Sequence, residues 1–208
     1  MKLLIFGSTG SIGRQLVEQA LAQGHTVTAF TRRLTVPEFS SHPGLILFQG
    51  DVLDFTSVKE AVKDQDVVLC ALGAGRKGGT RSEGTQNIIR AMKAVGTKRF
   101  ICQTTLGVGD SEGNLNVFWK YIMFGLLLKQ AFVDHEIQEK YIQQSSLDWI
   151  IVRPAAFTDG ERTGTYRHGF DGSAEGLTLK ISRADVADFM LKQLTDDTYL
   201  HKTPGLSY

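Results

Sequence analysis

The stretch LLIFGSTGSIG, residues 3–13, carries glycines at positions 7, 10 and 13 directly after a short apolar run. Beyond it Ile12, Leu16 and Ala20, with Val17 and Leu21 beside them, recur at helical spacing as far as Gln23, and Gly24 follows as a helix stop. The glycines therefore occupy the turn from a strand into a helix. Three side chains missing within seven residues imply that something lies very close to this backbone.

Outward from this stretch the same alternation continues. TVTAF (26–30), LILF (45–48), VVLC (67–70), FIC (100–102) and WIIV (149–152) are short apolar runs, of the kind that a parallel sheet covered on both faces requires. Helical patterns lie between and beyond them at Phe55–Val62, Ser82–Val95, Val117–Gln144 and Ser182–Leu194, the third long enough to be kinked or split near Gly125. This order predicts an α/β fold: a single doubly wound parallel-sheet domain over residues 1–208, with right-handed crossovers. The Gly-, Thr- and charge-rich stretch from Asp159 to Gly176 reads as a small C-terminal excursion, the sort of long loop that shapes a substrate pocket.

The chain of 208 residues has a formal net charge of +1, which argues against nucleic acid as its main partner. Its two cysteines, Cys70 and Cys102, each sit inside an apolar run and read as buried thiols, and nothing has metal-ligand spacing. The longest apolar stretch, residues 117–128, contains Lys120 and is shorter than the roughly 20 residues of a membrane helix. No secretory pattern opens the chain. The expectation is a soluble, cytoplasmic protein with no metal and no membrane segment.

In a doubly wound sheet, a glycine turn after the first strand leaves the amides of the following helix outward and unpaired, a natural seat for a pyrophosphate. Thr9, Gly10, Ser11 and Ile12 would present that seat, with Gly7 permitting the turn, Gly10 the approach of phosphate, and Gly13 the close packing of the helix on the sheet. The spacing is GxxGxxG rather than the commoner GxGxxG. After the second strand, where an acid would bind the ribose 2′-OH of NAD, the chain has Arg32 and Arg33. Two guanidinium groups suit the 2′-phosphate of NADP(H). Asp51, after the third strand, can accept from the adenine amino group while Val52 packs on the ring, and at Leu72 and Gly73 the backbone would pass close to the cofactor.

Together these pieces resemble the atypical short-chain dehydrogenase/reductases, and more narrowly the biliverdin reductase B (flavin reductase) branch next to the NmrA-like proteins. The resemblance spans nearly the whole chain: GSTGSIG, the arginines after strand two, GDV, ALGAG, SEGTQNIIRAMK, VRPAAFTDG with TGTY, and ISRADVADFML. It implies a Rossmann fold and an oxidoreductase. It also implies that Thr104 at the end of strand five faces the nicotinamide. Thr105 stands where the branch has an active-site serine, and His135 matches a histidine near the substrate pocket. The backbone of Pro154, Ala155, Ala156 and Phe157 is expected to close over the nicotinamide. The branch has a histidine where this chain has Ala156, which weakens the expectation of a tetrapyrrole substrate.

One pattern is missing. Classical members of the superfamily pair a tyrosine with a lysine four residues on, which lowers the tyrosine pKa for proton transfer. Here Tyr121 is followed at that distance by Gly125 and Tyr141 by Ser145. Without the pair, a conjugated acceptor is expected, one whose reduction gives a delocalised anion. The expected activity is therefore an NADPH-dependent reductase acting on a flavin such as FMN, on a biliverdin, or on both. Arg76, Lys77 and Arg81 in the loop after strand four could attract the phosphate or propionates of such a molecule. Trp119, in the stretch from Phe118 to Leu128 with Phe118, Tyr121, Met123 and Phe124, could roof its cleft. A quinone reductase is an alternative, as is an NADP(H)-binding redox-sensing or assembly protein without turnover. The protein is expected to be a monomer or a weak homodimer.

Overall fold

The computed structural model describes residues 1–37, 39, 41–73, 75, 78–114, 127–170 and 172–208. Trp119, Arg76 and Lys77, and the part of the expected Val117–Gln144 helix up to residue 126, lie outside the described residues. The strands are β1 (Lys2–Phe6), β2 (Thr26–Thr31), β3 (Leu45–Gln49), β4 (Val67–Cys70), β5 (Arg99–Gln103), β6 (Asp148–Pro154), β7 (Ala156–Thr158), β8 (Arg167–His168), β9 (Lys180–Ser182) and β10 (Gly205–Ser207). The helices are α1 (Ser11–Ala22), α2 (Phe55–Val62), α3 (Thr80–Val95), α4 (Lys129–Gln143) and α5 (Arg183–Lys192), with a 3-10 turn at Gly109–Asn114.

The main sheet runs β3-β2-β1-β4-β5-β6-β10-β8. It is parallel except where β8 pairs antiparallel with β10, so the fold is the doubly wound Rossmann type. Strand alternation divides the core. Leu3 and Ile5 face one layer with Leu16, Val17 and Ala20 of α1 and Val186, Phe189 and Met190 of α5. Leu4 and Phe6 face the other, with Val58 and Val62 of α2, Ile88 and Met92 of α3 and Ile142 of α4. Burying both faces of β1 in this way removes each such side chain from water, worth roughly 1.5–3 kcal/mol apiece. The chain leaves β1 toward β2 on one side and returns to β4 on the other. That reversal opens a crevice beyond the strand ends, between β1 and β4, where ligands of such sheets bind.

Three differences from the sequence reading have physical reasons. LILF forms β3 at the sheet edge, so Ile46 and Leu47 are exposed rather than covered. The excursion at 159–176 contributes β8, and it is tied down: the buried Asp185 carboxylate accepts from the amides of Thr163 and Gly164, the Thr163 hydroxyl and the Tyr208 hydroxyl. The short strands β7, β9 and β10 lacked any apolar run long enough to signal them. Cys70 and Cys102 are buried and free, paired in register across β4 and β5. Among the described residues no helix is long and apolar enough to cross a membrane.

Candidate functional site

The glycine turn explains itself in steric terms. Gly7 sits at φ +77°, a conformation that L side chains rarely adopt. A Cβ there would lie 2.2 Å from the carbonyl oxygen of Ala71, so β1 passes β4 with no room for a side chain. Gly10 donates its amide to the Gly7 carbonyl at 2.9 Å. Gly13 packs on this turn rather than on the sheet: its Cβ would meet the Gly7 oxygen at 2.0 Å. Ser8, fully buried, donates its hydroxyl to the Phe30 carbonyl at 2.8 Å and fixes the loop to the end of β2.

Gly10 is the N-cap of α1, with no side-chain cap and no acid in the first turn. At α2, by contrast, Asp54 accepts from Thr56 and Ser57. The first amides of α1 have no capping group, and the helix dipole adds positive potential there. They border a cleft of about 470 Å³.

Gly7, Thr9, Gly10, Ser11 and Ile12 line that cleft at its centre. One arm runs past Arg32, Asp51 and Val52; the other passes Leu72, Gly73, Thr104, Thr105 and His135 to Phe157. Most of the residues singled out from the sequence are thus brought together. Gly13, Arg33, Pro154, Ala155 and Ala156 do not line it. Arg33 donates from Nε to the Thr35 carbonyl at 3.5 Å. The amides of Ala155 and Ala156 are spent on the carbonyls of Leu206 and Leu179, so the strap after β6 borders the cleft through Phe157, not through those amides. Arg183 lies over that ring, 5.5 Å from its centroid. One Asp51 oxygen already accepts from the Leu53 amide at 2.9 Å, which leaves the other for a ligand.

Sequence reading missed Phe30, which stacks on Phe48 with centroids 5.7 Å apart and borders the cleft near Arg32. It also missed Ala131 and Phe132, which line the cleft beside His135 together with Leu128, the last residue of the expected roof. Their spacing with His135 (i, i+3, i+4, i+7) is one helix face, a signal overlooked because the neighbouring aromatic run at 118–124 drew the assignment.

Behind the cleft lies a buried charged network. Glu139 receives hydrogen bonds from Arg153 at 3.1 Å (Nε) and 2.7 Å (Nη2), and from the Thr104 hydroxyl at 2.7 Å. Arg153 also holds Asp110 of the 3-10 turn. Burial pulls the Arg153 pKa down, but the two carboxylates outweigh it and hold it above the usual arginine value. Arg81 lines the cleft, with Nη2 donating to the Gly75 carbonyl at 2.9 Å and Nη1 3.6 Å from Asp134. Asp134 accepts from the amides of Arg81 and Ser82. Burial pushes the Asp134 pKa up, but these bonds win and it stays below the usual carboxylate range. Arg81 is therefore fixed in the wall of the cleft rather than on a free loop.

His135 is buried, its Nδ1 3.0 Å from Oε1 of Gln138. Burial first, and the Arg81 charge second, lower its pKa from 6.5 to about 4. The ring is therefore neutral at physiological pH, with one N–H and one acceptor nitrogen rather than an imidazolium proton to transfer. Thr105 donates weakly, at 3.3 Å, to the Leu106 carbonyl. No tyrosine is among the described residues that line the cleft.

Comparison with known proteins agrees with this geometry. The profile of the NAD(P)H-binding family matches residues 7–197. The photosystem II assembly factor Ycf39 of Synechocystis is 29% identical over 77% of this chain and 46% of its own length. A phenylcoumaran benzylic ether reductase of Ginkgo biloba is 27% identical over 97% of this chain and 67% of its own. Among solved structures, the anaerobilin reductase ChuY of Escherichia coli O157:H7 superposes with a TM-score of 0.83, at 25% identity, over 99% of this chain and 96% of its own. A short-chain dehydrogenase/reductase of Veillonella parvula, solved in complex with NADP, has a TM-score of 0.83 at 18% identity and covers 100% of this chain and 94% of its own.

Proposed function

The chain belongs to the NAD(P)H-binding family, among the atypical short-chain dehydrogenase/reductases, and from that premise we propose that it is an NADPH-dependent reductase of a planar conjugated acceptor, a flavin or a linear tetrapyrrole. The residues fit the cofactor: the turn at Gly7, Gly10 and Gly13 is a cradle that a Cβ would fill, and the uncapped amides beyond it suit a diphosphate. Arg32, lining the cleft at the end of β2, would meet a 2′-phosphate. Bound NADPH supplies the hydride.

The observation that carries the choice of acceptor is that, among the described residues, no acid stands at the hydride end. His135 is neutral, and the Thr104 hydroxyl is committed to Glu139. An alcohol–ketone reaction needs a protein acid to finish it; a flavin, bilin or quinone does not, because the anion formed is delocalised and takes its proton from solvent. Phe132 and Phe157 give the cleft aromatic surface on which a flat ring system can stack. The likeness to ChuY supports the tetrapyrrole class. Steady-state oxidation of NADPH in the presence of FMN and of biliverdin tests the reading. Saturable turnover of either supports it, and binding of NADPH with no turnover of any flavin, bilin or quinone overturns it. That last outcome would favour a non-catalytic role, such as the assembly role in the Ycf39 name, and partner capture with and without NADPH would then be the measurement to make.

A further inference from the structure

His135 has two ring nitrogens with different surroundings. Nδ1 meets Oε1 of Gln138 at 3.0 Å, deep against β5, while no partner of Nε2 exists among the described residues. His135 borders the cleft, so the edge of the ring not engaged by Gln138 is the one a ligand can reach.

The orientation of the Gln138 amide decides which nitrogen carries the proton. Its Nε2 lies 2.9 Å from the Thr85 hydroxyl oxygen and 3.3 Å from the Cys102 sulfur. The Cys102 thiol reaches the Gln103 carbonyl at 3.7 Å, which leaves its sulfur open to accept from the Gln138 amide. The amide NH₂ of Gln138 is placed toward the Thr85 hydroxyl and this sulfur, and its oxygen toward His135. An amide oxygen cannot donate, so Nδ1 must.

We infer that Gln138 is a positioning residue that holds His135 as the Nδ1–H tautomer, so that Nε2 offers the cleft a hydrogen-bond acceptor, and that the molecule reduced there carries an N–H donor beside its conjugated carbonyl. The inference rests on the reductase reading above and narrows it: a flavin imide or a bilin lactam has such an N–H, and a quinone does not. The charged groups facing the ring are Arg81 from α3 and Asp134 from its own helix, and with burial their balance keeps the ring neutral. A lone pair in a buried setting left without a donor is costly. A ligand that lacks the N–H is therefore disfavoured even where its rings stack equally well.

Two measurements test this. With ¹⁵N-labelled histidine, the ring nitrogen shifts of His135, assigned by comparison with His135→Asn, report the tautomer in the protein without acceptor. The Nδ1–H form is expected in the native protein, a mixture in Gln138→Leu, and retained Nδ1 protonation in Gln138→Glu. The Nε2–H form in the native protein overturns the assignment. In steady state with saturating NADPH, lumiflavin and N3-methyl-lumiflavin are compared. A KM about tenfold higher for the methylated flavin is expected, as the loss of one hydrogen bond of about 1.4 kcal/mol implies, and in Gln138→Leu this ratio should shrink toward one. Equal KM values in the native protein overturn the N–H requirement while leaving the reductase reading intact. If neither flavin is reduced although NADPH binds, the reductase reading for flavins fails instead, and the tautomer measurement still decides the role of Gln138.

Discussion

Gly13 faces the carbonyl oxygen of Gly7 so closely that a Cβ on Gly13 would lie 2.0 Å from it. The two glycines clamp the turn between β1 and α1, and backbone on both sides leaves nothing flexible to move. Gly13→Ala is expected to destabilise the protein by about 1–3 kcal/mol through overpacking, read by urea denaturation, and to weaken NADPH binding by displacing the helix start. At Gly10 the same contact would be 3.1 Å. Gly10→Ala should therefore fold nearly as well as the native chain yet bind NADPH poorly, because its methyl group stands where the phosphate must come. Loss of stability in Gly10→Ala equal to that in Gly13→Ala would contradict this assignment.

Arg32 and Arg33 are adjacent in sequence but not in task. Arg32 lines the cleft, whereas Arg33 reaches the Thr35 carbonyl. Arg32→Ala is expected to weaken NADPH binding tenfold or more, at roughly 1.5–3 kcal/mol per charged hydrogen bond, and to leave NADH binding within about twofold. Arg33→Ala should change either affinity much less. Fluorescence titration of both variants with both nucleotides gives the comparison, and equal losses for the two cofactors would remove the 2′-phosphate assignment.

The ion pair of Arg153 and Glu139 is buried on both sides, with 3% of each side chain exposed. Breaking one half leaves a buried charge alone, which costs about 3–5 kcal/mol. Glu139→Ala should fall in that range by chemical denaturation, and Arg153→Met, Glu139→Leu together should lose less than the single change. Because Arg153 also holds Asp110, the 3-10 turn at Gly109–Asn114 should exchange its amides faster in Arg153→Met.

His135 ties stability to pH. Its pKa falls from 6.5 to about 4 in the fold, so between those values the unfolded chain binds the extra proton. The stabilisation is complete above about pH 6.5 and is lost as pH falls toward 4, by up to roughly 3 kcal/mol. His135→Gln should lose less stability than the native protein between pH 7.5 and 4.5 in urea melts. Parallel losses in the two proteins would show that another group carries the acid response.

The glycine turn and the periods of α1, α2, α3 and α5 were legible because each is a local constraint; of the two arginines, only Arg32 lines the cleft. Gly7 must adopt φ +77° wherever the rest of the chain goes, and an apolar stripe at helical spacing has one face to bury. The sequence by itself thus determined the sheet type, the crevice and a phosphorylated dinucleotide as the expected occupant. Only the tertiary structure decided what stands at the far arm of that cleft. Glu139 and Arg153 are 14 residues apart, Thr104 and Glu139 are 35, and Gln138 and Thr85 are 53. No spacing rule joins such residues. Their charge, tautomer and hydrogen bonds are set when α4 packs against α3 and β5, which excludes water and leaves each polar group only its neighbours to satisfy it. A histidine that alone would titrate near neutrality becomes, in that setting, a fixed acceptor.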